Sequence, residues 1–263
     1  MMRFAACCLF FLLTSGILSA VEPTVLRVVS YNIRTGGVGM DDKRDLARQA
    51  AVLKSLKPDI VLLQEVDVGV KRSGKVDTAG VIAEALGFKS HFFQAIPLQG
   101  GSYGIAILTA FPVGPFTTQR LLGGAEPRVA LLLPVRVPTP SGERELLVAC
   151  THLDFRSDDE MEPCAKQLAN ALAAEQRPVL LGGDMNFWPG SKVITALEKQ
   201  LTLIPKTGEK ATYPADKPKS EIDHFFVRPA SAFKVRESRV VPEAMASDHR
   251  PILVELEWLP AAR

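Results

Sequence analysis

From Val25 onward, short apolar runs alternate with longer segments in which apolar residues recur every third or fourth position. The β-branched run Val25 to Ile33 predicts a first strand, ending in Tyr-Asn-Ile. Asp41 to Leu56 predicts a helix with Leu46, Ala50 and Leu53 on one face and Asp41 or Asp42 as its cap. Pro58 blocks its continuation, and Ile60 to Gln64 reads as a buried strand ending at Glu65. Thr78 to Leu86 predicts a helix stopped by Gly87. Strand signals then follow at Ser90 to Ile96, Tyr103 to Thr109, Arg128 to Val137 and Glu145 to His152, separated by turns rich in Gly and Pro. Ser157 to Glu175 predicts a helix with Ser157 at its cap and Asp159 and Glu160 in its first turn. Val179 to Leu181 is a short strand leading into Gly182-Gly183-Asp184, and Ser191 to Lys199 is helical. The last strands are Asp223 to Val227, Phe233 to Val241 and Pro251 to Trp258, while the Lys- and Pro-rich stretch 205–220 reads as a solvated loop. The pattern implies two mostly antiparallel sheets packed on each other, with helices outside.

Composition narrows this picture only slightly. The chain has 263 residues, 47% hydrophobic and 23% charged, an ordinary globular balance that excludes a mostly disordered chain and allows one large domain. A formal net charge of +2 selects neither nucleic acid nor an anionic membrane as partner. Residues 1–20 show Met-Met-Arg, an apolar run from Phe4 to Leu13, then Thr14, Ser15 and Gly16 before Ser19-Ala20, which is the layout of a secretory signal peptide. Cleavage after Ala20 would leave 21–263 as a single exported domain, secreted or periplasmic; uncleaved, residues 4–20 would act as a membrane anchor. Cys7 and Cys8 would leave with the leader, and no disulfide is expected between Cys150 and Cys164.

The candidate chemistry sits where apolar strands end, the place where a sheet opens into a cleft. Asn32 ends the first strand and Glu65 the second; His152 and Asp154 end another, as do Asp184 and Asn186. Asp223 begins a strand, and Asp248-His249 precedes the last. Any one Asp before Gly or Pro reads as a turn residue, but two His with several carboxylates repeating this placement do not. Hard oxygen donors with few thiols suit Mg²⁺ best, or Mn²⁺ or Ca²⁺, and the Cys and His spacing of a structural zinc site is absent.

Seven motifs carry a resemblance. Val29-Ser30-Tyr31-Asn32-Ile33, Leu63-Gln64-Glu65-Val66, Tyr103-Gly104-Ile105-Ala106-Ile107-Leu108, Thr151-His152-Leu153-Asp154, Gly182-Gly183-Asp184-Met185-Asn186, Ile222-Asp223-His224-Phe225-Phe226 and Ser247-Asp248-His249-Arg250-Pro251 resemble, in order, the signature of the endonuclease/exonuclease/phosphatase superfamily. The resemblance implies a four-layered α/β sandwich and a metal-dependent phosphoesterase. It implies Glu65 as the principal metal carboxylate, with Asn32 and Asp248 nearby. It implies Asp184 orienting or deprotonating the attacking water, Asn186 donating to the same phosphate region and Tyr103 touching the phosphate. His249, held by Asp223, would stabilise developing charge, and His152 would protonate the leaving oxygen or bind the phosphate. These residues leave open whether one metal or two is bound.

Arg72 resembles a loop arginine on the substrate side, with a solvated charge as the alternative. Arg128 in Glu126-Pro127-Arg128 resembles a cleft-facing arginine, with a structural ion pair as the alternative. Asp154 is expected beside the substrate or behind the ligands. His91 and His224 read as ordinary fold residues, and Phe187-Trp188 either lines the pocket or packs beneath it. Phe187-Trp188-Pro189-Gly190-Ser191 departs from the pattern of abasic-site endonucleases, and the long aromatic hairpin of secreted sphingomyelinases is not found. A small or lipid-linked phosphoester is therefore the expected substrate, which includes a membrane lipid head group. A DNase-like action on nucleic acid is the alternative, and a non-catalytic binding module is the weaker one. No protein partner is indicated.

Overall fold

The apolar runs are continuous rather than alternating because the central strands bury both of their faces. The computed structural model describes residues 24–140 and 142–259, so the leader read at 1–20, with Cys7 and Cys8, lies outside the described residues. In chain order come β1 (Val25–Asn32), a tight turn α1 (Arg34–Gly37), α2 (Leu46–Ser55), β2 (Ile60–Val68), α3 (Thr78–Leu86), β3 (Lys89–Leu98) and β4 (Gly101–Thr109). Then follow β5 (Thr117–Arg120), β6 (Val129–Thr139), β7 (Gly142–His152), α4 (Asp158–Ala173), β8 (Val179–Asp184) and α5 (Lys192–Glu198). The chain closes with β9 (Thr202–Ile204), β10 (Asp223–Arg228), β11 (Phe233–Val240) and β12 (Ile252–Trp258).

These strands make two six-stranded sheets, ordered β11-β12-β1-β2-β4-β3 and β5-β6-β7-β8-β10-β9. Each sheet holds one parallel pair near its centre, β1 with β2 and β7 with β8, and every other pairing is antiparallel. Successive residues point to opposite faces. Thus Val28, Ile60 and Leu62 enter the core between the sheets, where they meet Leu131, Val148 and Leu180. Their neighbours Val29, Val61 and Leu63 face outward onto Leu53 of α2 and Ile82 of α3. On the other side Ala149, Leu181 and Phe226 pack against Leu168 of α4 and Ile194 of α5. Helices, sheet, sheet and helices form the four layers that the sequence implied.

Local chemistry sets the boundaries. α2 starts at Leu46 rather than near Asp41, because Asp42 turns the chain with φ 56° and Asp45 supplies the cap to Arg48 N. α4 opens on a capping box between Ser157 and Glu160, as its sequence indicated. α3 ends at Gly87 in the left-handed conformation. β2 does not end at Gln64: it continues to Val68 through a bulge, because Gln64 and Glu65 together span the single β4 residue Ile105. The short strands β5 and β9 pair at sheet edges and were not anticipated.

Cys150 lies in the core between the sheets and Cys164 in the cluster beneath α4, so the second sheet separates them. Both thiols are free, and burial pushes each up to about 12.

Gly183 has φ 150°, and a Cβ there would stand 2.0 Å from Thr151 O. This close approach sets the register that places His152 opposite Asp184. Gly183→Ala should therefore cost about 2–4 kcal/mol in urea unfolding, from backbone strain plus overpacking; a variant as stable as the wild type would show that the β7–β8 spacing can relax.

Candidate active site

The two parallel pairs end on the same side of the sandwich. β1 and β2 deliver Asn32 and Glu65, and β7 and β8 deliver His152 and Asp184 as direct partners. β10 runs antiparallel to β8 and begins with Asp223 opposite Asp184. Asp248-His249 leads into β12, which pairs with β1. Between these ends lies a cleft of about 540 Å³, lined by Glu65, Arg72, Tyr103, Arg128, His152, Asp184, Asn186, Asp248 and His249 among others. Ser247 Oγ donates to Asn32 O at 2.7 Å, and Gln49 Nε2 of α2 donates to Ile33 O and Ala246 O at 3.1 and 2.8 Å, fixing the two segments together.

Asp184 sits at the centre. Its Oδ2 accepts from Asn32 Nδ2 at 3.0 Å and lies 3.4 Å from His152 Nε2 and 3.6 Å from His249 Nε2; its Oδ1 accepts from Asn186 N at 2.9 Å. His249 Nδ1 donates to Asp223 Oδ2 at 2.9 Å, and Thr212 Oγ1 donates to the same oxygen at 2.5 Å. Burial disfavours a charged His249 ring, but the charges of Asp223 and Asp184 and the Asp223 hydrogen bond outweigh it and lift the ring to about 10. Burial likewise works against the Asp223 anion, yet His249 and Thr212 hold its carboxyl below the usual range. For Asp184 burial prevails, reinforced by Asp223 and opposed by His249, so its proton affinity rises. His152 is pushed well down by burial and then by the charges of Arg128 and His249, leaving a neutral ring near pH 7. A neutral imidazole offers a hydrogen bond rather than a stored charge, which suits binding a phosphoryl oxygen. Tyr103 keeps its proton, because burial and then the Glu65 charge raise it.

Glu65 and Asp248 form the second charged centre. Glu65 Oε2 accepts from Thr35 N at 2.6 Å and its Oε1 from Asn32 Nδ2 at 3.2 Å. Asp248 is raised by burial and by the Glu65 charge, with His249 opposing, and Arg34 Nε stands 3.7 Å away. Two carboxylates close enough for the Glu65 charge to raise Asp248, and only partly answered by His249 and Arg34, offer oxygen donors that fit a hard divalent cation. Asp184, Asp223 and His249 also offer ligand atoms within 4.8 Å of one another, but the imidazolium already compensates the charge there. Asn32 turns its Nδ2 toward Glu65 and Asp184 while its Oδ1 accepts from Arg34 N at 3.0 Å, so it bridges the two centres.

The outer residues divide. Arg72 lines the cleft, yet its guanidinium is bound at both ends by Asp67 (2.8 and 2.9 Å) and lies over the Tyr103 ring. Arg128 lines the cleft and is also ion-paired with Glu126 at 3.2 Å, so both readings of it are present. Asp154 does not face it: the side chain is buried, and it accepts from Ala125 N, Glu126 N and Phe155 N at 2.7 to 3.3 Å, shaping the 123–127 loop instead. Phe187 packs beneath in the core and Trp188 is 58% exposed; neither lines the cleft. His224 is a buried fold residue bonded to Phe187 O at 2.8 Å, and His91 sits on β3.

The stretch 205–220 is a loop with Lys210, Lys217 and Lys219 exposed, as read, but Lys206, Thr212 and Ala215 within it are buried against the site. Lys206 is 5% exposed, with Nζ at 2.8 Å from Asp223 O and 2.9 Å from Glu221 Oε1. Thr212 is buried against Asp223, and the Tyr213 ring lies 5.0 Å from that of His249. Backbone bonds from Arg250 N to Thr212 O and from Ala215 N to Asp248 O draw the segment back to the sheet. Thr212 and Tyr213 thus belong to the site although no apolar periodicity marked them; Thr-Tyr before Pro214 was the available signal.

Residues 29–249 match the Endonuclease/Exonuclease/phosphatase family. The chain belongs to that family. Members of the endonuclease/exonuclease/phosphatase family hydrolyse phosphoester bonds, usually with a divalent metal. The uncharacterised protein YbhP of Escherichia coli is 24% identical over 245 residues, covering 88% of this chain and 95% of its own. An endonuclease/exonuclease/phosphatase from Beutenbergia cavernae is 25% identical with a TM-score of 0.70, covering 90% of this chain and 72% of that one. The mannosyl-6-phosphatase of Bacteroides thetaiotaomicron shares the fold at 20% identity and TM-score 0.71, over 89% of this chain and all of that one.

Because Thr212 and His249 share one Asp223 oxygen, Thr212→Val should lower turnover about tenfold or more, the scale of a lost hydrogen bond to a charged group. Thr212→Ser should stay within about threefold. Steady-state kinetics beside melting curves check this: equal losses in both variants would assign Thr212 a packing role only.

Proposed function

We propose that the protein is an exported, divalent-metal-dependent phosphoesterase acting on a small or lipid-linked phosphoester. The observation that carries this reading is the pair of charged centres in one cleft: Asp184, Asp223 and His249 on one side, Glu65 and Asp248 on the other, bridged by Asn32. Glu65 and Asp248, with Asn32 between the centres, would hold Mg²⁺, Mn²⁺ or Ca²⁺, which would supply charge neutralisation at the phosphoryl oxygens. Asp184, whose proton affinity burial raises, orients and deprotonates the attacking water. His249, raised to about 10 by Asp223 and Asp184, brings a positive charge near neutral pH to the oxygens that become more negative, and Asp223 keeps its ring in place. His152 and Tyr103 line the same space and would donate hydrogen bonds to the phosphate, while Asn186, whose Nδ2 already donates to Leu153 O at 2.8 Å, has its second amide hydrogen left for it.

The walls support a small or apolar alcohol portion. Ile96, Leu98, Phe155 and Ile222 share the lining with the polar floor, whereas a nucleic-acid enzyme would present a long basic groove. Support for export is the leader sequence alone.

The test is hydrolysis of p-nitrophenyl phosphate, bis-p-nitrophenyl phosphate, sphingomyelin and plasmid DNA by the purified protein with each metal. Turnover should disappear on chelation, return with Mg²⁺, and fall at least 10²-fold in Glu65→Ala and in His249→Ala. Preferred cleavage of DNA would replace this reading with a nuclease, and a folded protein inert toward every substrate would leave a binding module.

A further inference from the structure

Most cations at the cleft are already committed. Arg72 is bound by Asp67 through two nitrogens, and His249 by Asp223. Arg128 differs. It is 6% exposed and lines the cleft, yet its Nε and Nη1 are buried without a hydrogen-bond partner. Its nearest acids are poorly placed: Glu126 Oε1 lies 3.2 Å from Nη1 but is itself without a hydrogen-bond partner, and Asp154 Oδ1 is 3.9 Å from Nη2. A buried guanidinium with unsatisfied donors calls for an occupant, and its geometry suits anionic oxygens.

Beside it is a second feature of the right size. A recess of about 10 Å³ is lined by Arg128, His152 and Tyr103, which also line the cleft, and closed by Ala95, Gly104, Ile105 and Val129. Such a volume admits about one water-sized atom. A bare phosphoryl oxygen fits; an ester oxygen carrying an alkyl group does not.

We propose that Arg128 receives terminal oxygens of the substrate phosphoryl group and makes the cleft selective for phosphomonoesters over phosphodiesters. This rests on the phosphoesterase reading above and names its substrate class. A phosphomonoester is close to a dianion at neutral pH, with a second pKa of about 6, and has three unsubstituted oxygens. A diester brings one charge and one more group to accommodate. The Arg128 guanidinium, loosely paired with Glu126 and Asp154, has Nε and Nη1 free of hydrogen bonds and meets the additional negative charge. The recess takes one unsubstituted oxygen from either ester, since a diester keeps two, so the selection is by charge. Arg128 is thus a substrate-binding residue that discriminates by charge.

The experiment compares kcat/KM for p-nitrophenyl phosphate and bis-p-nitrophenyl phosphate in the Mg²⁺-loaded wild type, Arg128→Lys and Arg128→Met. The wild type should favour the monoester, and Arg128→Met should lower the monoester-to-diester ratio at least tenfold, with Arg128→Lys between them. A ratio unchanged in Arg128→Met, or a wild type that favours the diester, overturns the proposal. Calorimetry on the wild type supplies a second measurement if the Met variant does not fold: inorganic phosphate should bind at least tenfold more tightly than dimethyl phosphate, and equal binding overturns the proposal. If no ester turns over, the phosphoesterase reading falls separately, and phosphate calorimetry still decides whether this cleft selects a dianion.

Discussion

Removing Asp184 and Asp223 from water at the junction of two sheets is the constraint to which the rest of the site answers. An isolated buried carboxylate is costly, and two facing each other are worse. Here they flank His249, whose positive charge answers both, while Asn32, Asn186 N and Thr212 take up further lone pairs. The same imidazolium, with Arg34 3.7 Å from Asp248, offsets only part of the burial and Glu65 repulsion that raise Asp248, and such a pair suits a cation. The neutrality of His152 follows from the same field, since burial and then Arg128 and His249 oppose a further charge there.

The backbone bends to sustain this arrangement. Glu65 (φ 60°) and Asn186 (φ 57°) adopt left-handed conformations uncommon for residues with side chains, each beside the cleft. At Glu65 the β2 bulge redirects the side chain without ending the strand, so the carboxylate reaches the cleft while Val66 and Val68 continue to pair with β4. Strain at these points is tolerated because the strands beneath bury both faces.

Much of this was legible in the sequence because the change from apolar to polar residues marks a strand end, and strand ends of a sandwich are where side chains converge. Asn32, His152, Asp184 and Asp223 all sit at such edges. Glu65 was read as a terminus because a charge after an apolar run looks like one; a bulge leaves no periodic signature. Asp42 turning the chain displaced the start of α2 for a similar reason. Lys and Pro correctly mark 205–220 as a largely exposed loop, but they hide its anchors, such as Lys206, which is buried by Glu221 and the Asp223 carbonyl. Of the two places open to Asp154, beside the substrate or behind the other residues, the structure gives the second, because loop amides, invisible to a motif, claim its oxygens.

Cys150 and Cys164 carry a consequence for the folded domain. They lie on opposite faces of one sheet, and burial raises both thiols to about 12, so in the folded state neither is poised as a thiolate for disulfide exchange. Joining them would require the sheet between them to open, and a change in the surrounding redox poise therefore leaves the geometry of the folded cleft as it is.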